Sequence, residues 1–103
     1  MTSSTYSLFQ PIRVGAIDLQ HRVVMAPLTR LRANKKYIPG ELAKTYYMQR
    51  SSVPGTLIIS EGAPIAPQAV GYANMPGIWS DDQIAGWKPV CVSQWFTITV
   101  YTD

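Results

Sequence analysis

Apolar residues along the chain fall into short separate runs divided by polar and proline-rich stretches. Ile12-Arg13-Val14 and Ile17-Asp18-Leu19 alternate on either side of Gly15-Ala16. Two short extended arms around a glycine turn predict a hairpin. Val23-Val24-Met25-Ala26 is then continuously apolar and ends at Pro27. With no polar alternation it predicts a strand buried on both faces, as in a parallel sheet. Proline has no N–H for a ladder, so Pro27 can end such a strand but not sit at its centre. A polar loop from Thr29 to Pro39 follows. From Glu41 to Ser51, the residues Leu42, Ala43, Tyr46 and Tyr47 share one helical stripe. The breakers Ser51-Ser52-Val53-Pro54-Gly55 stop that helix. Thr56-Leu57-Ile58-Ile59-Ser60 is a second strand, so the span predicts a βαβ unit.

After Glu61-Gly62 comes a long loop holding Pro64, Pro67 and Pro76. Helix signals return at Ser80-Asp81-Asp82-Gln83. Ser80 can accept from the free N–H groups of the first turn, and Gln83 can reach back as the other half of a capping box. Asp81 and Asp82 suit the positive end of the helix dipole. This helix is expected to turn Ile84 and Trp87 inward and to kink or stop early at Pro89. Residues 1–7 read as a loose tail. The alternation predicts an α/β architecture with a parallel sheet behind a capping hairpin.

Composition narrows the class. A hydrophobic fraction of 47% with 15% charged residues suits a packed core rather than a disordered tail. The net charge is +3, and much of it sits in Arg30, Arg32, Lys35 and Lys36. No nucleic-acid-binding signature accompanies that cluster, so it reads as a solvated loop. Cys91 is the single cysteine; it cannot form an intrachain disulfide and reads as an incidental thiol. No Cys/His group has metal-ligand spacing. The N-terminus lacks the basic and apolar regions of a secretory signal, and no apolar run approaches the ~20 residues that span a bilayer. The expectation is a soluble cytoplasmic protein with no nucleic-acid, membrane or metal partner.

Candidate chemistry follows from the parallel sheet. Its strands all end on one side, so Pro27-Leu28-Thr29 and Glu61-Gly62-Ala63 converge on the carboxyl-end rim, where α/β proteins bind ligands. Thr29 offers a hydroxyl that donates and accepts, and Gly62 admits a flat ligand close to the backbone. From spacing alone the plainer account is favoured, with Thr29 a local cap and Gly62 a tight bend. Glu61 has the chemistry of a general acid or base but no partner that spacing reveals. Trp79 and Trp87 read as packing or capping for the second helix.

The segments MAPLTRLRA, YYMQRSS, ISEGAPIAPQAVGY and PGIWSDDQIAGWKPV occur in that order. Together with LFQPIRVG and LQHRVVMAPLTR, they resemble the old yellow enzyme family from about Leu8 to Val90, most closely its fungal members. The resemblance implies the N-terminal portion of an eight-stranded (β/α) TIM barrel holding FMN at the carboxyl ends of its strands. That portion comprises the capping hairpin, two strands with the helix between them, and the start of a second helix. It also implies reduction by NADPH or NADH, then reduction of the C=C bond of α,β-unsaturated carbonyl compounds such as enones. Pro27, Leu28 and Thr29 would lie against the flavin, with Thr29 bonded to its carbonyl edge and tuning its potential. Gly62 would supply a second backbone contact, and Tyr72 would face the substrate pocket. His21 would be structural.

The pattern fails after Val90. Residues 1–90 are expected to be barrel sequence and 91–103, CVSQWFTITVYTD, a divergent tail, for instance a translated intron. No flavin contact is carried onto Gln94, and the alternation of Phe96 to Tyr101 reads as chance. A whole barrel takes about 250 residues. The expectation is therefore two strands of eight, with no catalytic residue assigned. The rival expectation is a non-catalytic product without independent function.

Overall fold

The computed structural model describes residues 6–92 and 98–99, so the first five residues of the tail expected over 1–7 lie outside the described residues. A 3-10 turn, Ser7–Phe9, leads into the hairpin of β1 (Ile12–Val14) and β2 (Ile17–Leu19). The pairing is antiparallel, with Ile12 opposite Leu19 and Val14 opposite Ile17. Gly15, at φ 61°, takes the first of the two turn positions. A positive φ there matches the turn to the twist of the arms, and glycine adopts it without steric cost.

The chain then enters β3 (Val24–Met25), α1 (Glu41–Arg50), β4 (Leu57–Ile59), a 3-10 turn at Pro67–Ala69, α2 (Asp81–Val92) and β5 (Ile98–Thr99). These strands form a parallel sheet in the order β3-β4-β5. Met25 is the register partner of Ile58, so the two share a face. On that face Ile58 joins Ala43, Tyr47, Trp87 and Val90 in the core, with Met25, Tyr46 and Ile78 packed around it.

His21 ties the hairpin exit to the start of β4. Its Nδ1 accepts from Val23 N–H at 3.1 Å, which leaves Nε2–H to donate to Thr56 Oγ1 at 2.7 Å. The Thr56 hydroxyl in turn donates to Val53 O at 2.8 Å. That tautomer makes His21 a structural clamp at the amino end of the sheet.

The capping box at α2 forms as its sequence predicts. Gln83 N–H donates to Ser80 Oγ at 3.2 Å, and Ser80 N–H donates to Gln83 Oε1 at 3.1 Å. Trp87 Nε1–H donates to Gly77 O at 3.0 Å, so this ring both packs and bonds.

Five expectations need correction. Leu42, placed on the inward stripe, is 65% exposed, and Ile84 is also exposed; on α2 Trp87 faces inward as expected, joined by Gln83 and Val90. An apolar residue at helical spacing faces inward only where another element covers that side, and α1 and α2 cover only each other and the sheet. Pro89 does not stop α2, which continues to Val92. Proline forfeits one bond to the preceding turn, and the burial of Trp87 and Val90 on either side of it offsets that loss. The Val23–Ala26 run is not buried on both faces, since Val24 is 39% exposed. It forms an edge strand with no neighbour beyond it among the described residues. Finally, three parallel strands are paired rather than two. Ile98 and Thr99 lie in a β-branched stretch and fill the free edge of β4, a role that alternation alone did not assign.

Candidate functional site

The carboxyl-end rim is built by the turns after β3 and β4. Pro27, Leu28, Thr29 and Gly62 are all exposed there. Two observations weaken the plainer account of ordinary turn chemistry. The Thr29 hydroxyl caps nothing, having no hydrogen-bond partner among the described residues. Gly62 is not among the positive-φ glycines, and a Cβ built on it would meet nothing within 4 Å. The chain's own geometry therefore does not require glycine at position 62.

Between these turns lies Glu61, only 3% exposed. Its Oε2 accepts from Arg30 N–H at 3.0 Å, and its Oε1 accepts from the Tyr47 hydroxyl at 3.3 Å. The Tyr47 oxygen accepts Glu61 N–H at 3.0 Å, which closes a reciprocal pair. Burial is the main cause that pushes the Tyr47 hydroxyl well above the usual tyrosine range, so it stays protonated and donates. Sequence reasoning found no partner for Glu61. Tyr47 was read as one more residue of an apolar stripe, and no spacing rule links positions 47 and 61. The one available signal was a phenol on an inward face, which needs a polar partner when buried.

Tyr72 is 66% exposed. It shares a hollow of about 340 Å³ with Gly62, Ala63, Ile65 and Met75. A separate hollow of about 270 Å³ opens beside α1, lined by Arg30, Arg32, Tyr46, Arg50 and Glu61. Pro27, Leu28 and Thr29 line neither; Thr29 is linked to Gly62 through the Arg30–Glu61 bond. Trp79 packs against Tyr37 in a tilted arrangement with ring centroids 5.6 Å apart, and Trp87 lies in the core. The basic loop is exposed but pinned by Ala33 N–H to Asn74 O (3.0 Å), Gly77 N–H to Tyr37 O (2.8 Å) and Gln83 Nε2 to Lys36 O (3.3 Å). Cys91 is exposed, away from this rim. Among the described residues no His, Cys, Asp and Glu group could hold a metal ion, and no helix is long and apolar enough to cross a membrane.

Residues 7–93 match the profile of the NADH:flavin oxidoreductase / NADH oxidase family. The chain belongs to this family, that of the old yellow enzymes. It is 58% identical over 83 residues to the NADP-dependent oxidoreductase lnbE of Aspergillus flavus, covering 81% of this chain and 22% of that protein. The probable inactive reductase easA of Epichloe festucae var. lolii is 51% identical over 87 residues, which are 84% of this chain and 23% of easA. Among solved structures, morphinone reductase superposes with a TM-score of 0.83 at 45% identity, covering 97% of this chain and 27% of that one. The old yellow enzyme homologue from Zymomonas mobilis gives 0.79 at 46% identity, over 85% of this chain and 24% of that one. The chain thus spans under a quarter of the length of these curated relatives. The solved structures are TIM-barrel enzymes, and the chain matches a small part of each.

The family uses FMN and NAD(P)H. The rim fits a flat, partly apolar cofactor. It presents an unpartnered hydroxyl at Thr29, an apolar side chain at Leu28 that is 51% exposed, and open space before the Gly62 backbone.

Proposed function

We propose that this chain supplies the cofactor-holding edge of an FMN-dependent NAD(P)H oxidoreductase, an ene-reductase acting on the C=C bond of α,β-unsaturated carbonyl compounds in the cytoplasm. The observation that carries it is the pairing of an unpartnered Thr29 hydroxyl with a glycine at 62 that the fold does not need. Pro27 and Leu28 would give the flavin ring an apolar support, and Thr29 O–H would donate to its carbonyl edge. Such a bond strengthens as negative charge grows on that edge, which raises the reduction potential. Gly62 brings backbone against the ring where any side chain would stand in the way. Tyr72 borders the hollow beside Gly62 and lines the mouth where substrate enters. When bound, FMN would supply the redox chemistry, the transfer of a hydride equivalent from NAD(P)H to the alkene, with a proton from another source completing the saturated product.

The 103 residues by themselves are proposed to hold FMN weakly and to turn nothing over. The single histidine of the chain, His21, clamps the amino end of the sheet and lies away from the rim. Among the described residues the rim offers no pair of side chains to grip a substrate carbonyl. Family membership alone does not decide activity. The matched relatives include both an NADP-dependent oxidoreductase and a probable inactive reductase, at 58% and 51% identity over this same stretch.

Purified chain mixed with FMN should lose its yellow colour on gel filtration and should not oxidise NADPH when given an enone. Stoichiometric flavin retained with turnover would show that these residues suffice for catalysis. If FMN has no detectable effect on the protein even at high concentration, the cofactor-edge reading fails.

A further inference from the structure

Glu61 stands where the buried core meets the open rim. Ser60 before it is 1% exposed, and Gly62 after it is open to solvent. A carboxylate taken out of water persists only if its oxygens are met by donors. Both are met, and the donors come from two other parts of the chain. Arg30 N–H belongs to the turn after β3, and the Tyr47 hydroxyl belongs to α1. Arg30 directly follows Thr29, and Glu61 directly precedes Gly62. One side chain therefore joins the two turns that carry the rim contacts.

The other end of the tie is buried in the core. Tyr47 is 1% exposed and packs against Trp87, with ring centroids 6.3 Å apart. Its oxygen also accepts Glu61 N–H, so backbone and side chain of Glu61 are fixed to the same phenol. The Arg30 guanidinium lies 4.8 Å from the centre of the Tyr46 ring, a second hold on the same turn from the same helix. Both oxygens already accept from the protein, so Glu61, although it borders the hollow beside α1, is held as a tie between the two turns.

We infer that Glu61 is a positioning residue of the cofactor rim: its bond to Arg30 N–H sets where the Thr29 hydroxyl stands relative to the Gly62 backbone, with Tyr47 as the fixed post. The inference rests on the reading that Thr29 and Gly62 face FMN. Shortening the side chain to aspartate would leave it unable to meet both donors. Glutamine keeps one oxygen acceptor but loses the charge that strengthens both bonds.

The test is amide hydrogen exchange on the whole chain, read at Arg30, in wild type, Glu61→Gln and Glu61→Ala. Wild-type Arg30 should be protected. Glu61→Ala should speed its exchange by about tenfold or more, the effect expected on losing a hydrogen bond to a charged group. Glu61→Gln should speed it by less, with the α1 amides unchanged. FMN titrated into the same samples supplies the functional readout. In Glu61→Gln the FMN-induced shift at Thr29 should shrink relative to that at Gly62. Equal Arg30 exchange in all three proteins, protected or not, overturns the inference. So does a proportionate loss of both FMN responses, which marks general weakening rather than misplacement. A protected Arg30 with no FMN response in wild type overturns the cofactor reading instead, and the positioning role falls with it.

Discussion

The two faces of the parallel sheet are made from similar aliphatic residues, yet they end in different states. On one face Met25 and Ile58 meet α1 and α2, and Ile58 is fully buried. On the other, Val24 stays 39% exposed, and beyond the strand end Leu28 stays 51% exposed. Strand sequence does not separate these outcomes, because Val24 and Ile58 both suit a pleated surface. What differs is the covering. The helix-covered face closes around the Tyr47–Trp87 pair, while the opposite face and the rim remain open. The proposed cofactor contacts all lie on the open side. Core packing and the proposed cofactor contacts thus occupy different sides of the same strands, joined at Glu61.

This division can be broken most sharply at Ile58. Ile58→Ala should cost about 2–5 kcal/mol, the usual price of an aliphatic deletion in a closed core, read as a loss of urea resistance. A cost below about 1 kcal/mol would mean the covered face is not packed as described. The buried Tyr47 makes a pH-dependent test. Its folded pKa is raised, so its contribution is fully present below the unfolded value of about 10 and is lost as pH rises beyond it. Wild-type stability should therefore fall above about pH 10 with one proton more to lose than in Tyr47→Phe, a difference of about 1.4 kcal/mol per pH unit. Parallel profiles for the two proteins would contradict it. Ser80→Ala should cost about 1 kcal/mol through the lost cap on α2, measured by the same denaturation. On the open side, Leu28→Ala should change stability by less than about 0.5 kcal/mol. A large effect there would erase the distinction between the faces.

The sequence disclosed the elements more fully than their surroundings. The Gly15 turn, the Ser80–Gln83 box and the strand–helix–strand order depend on neighbouring residues, and each formed as local chemistry predicts. Leu42 and Ile84 were misplaced because helical periodicity marks an apolar stripe but not which part of it another element covers. The sequence leaves Pro89 as a kink or a stop, and the stop fails because the local cost is visible there and the compensating burial of Trp87 and Val90 is not. β5 was missed because two short β-branched residues carry little information until a free strand edge stands beside them. At the candidate site, strand ends and family resemblance single out Thr29 and Gly62 as candidates. The Glu61–Tyr47–Arg30 tie is not singled out, because hydrogen bonds between residues 14 and 31 positions apart leave no periodic trace.

The central claim is that position 62 is glycine for a ligand and not for the fold. It is tested by measuring both properties on Gly62→Ala. The added Cβ meets nothing within 4 Å, so urea stability should match wild type within about 0.5 kcal/mol. In a parallel FMN titration followed by amide chemical shifts, wild type should respond at Thr29 and Gly62 while the core around Ile58 stays unmoved, and Gly62→Ala should lose that response. A variant that binds FMN like wild type, or one that unfolds, would contradict the account.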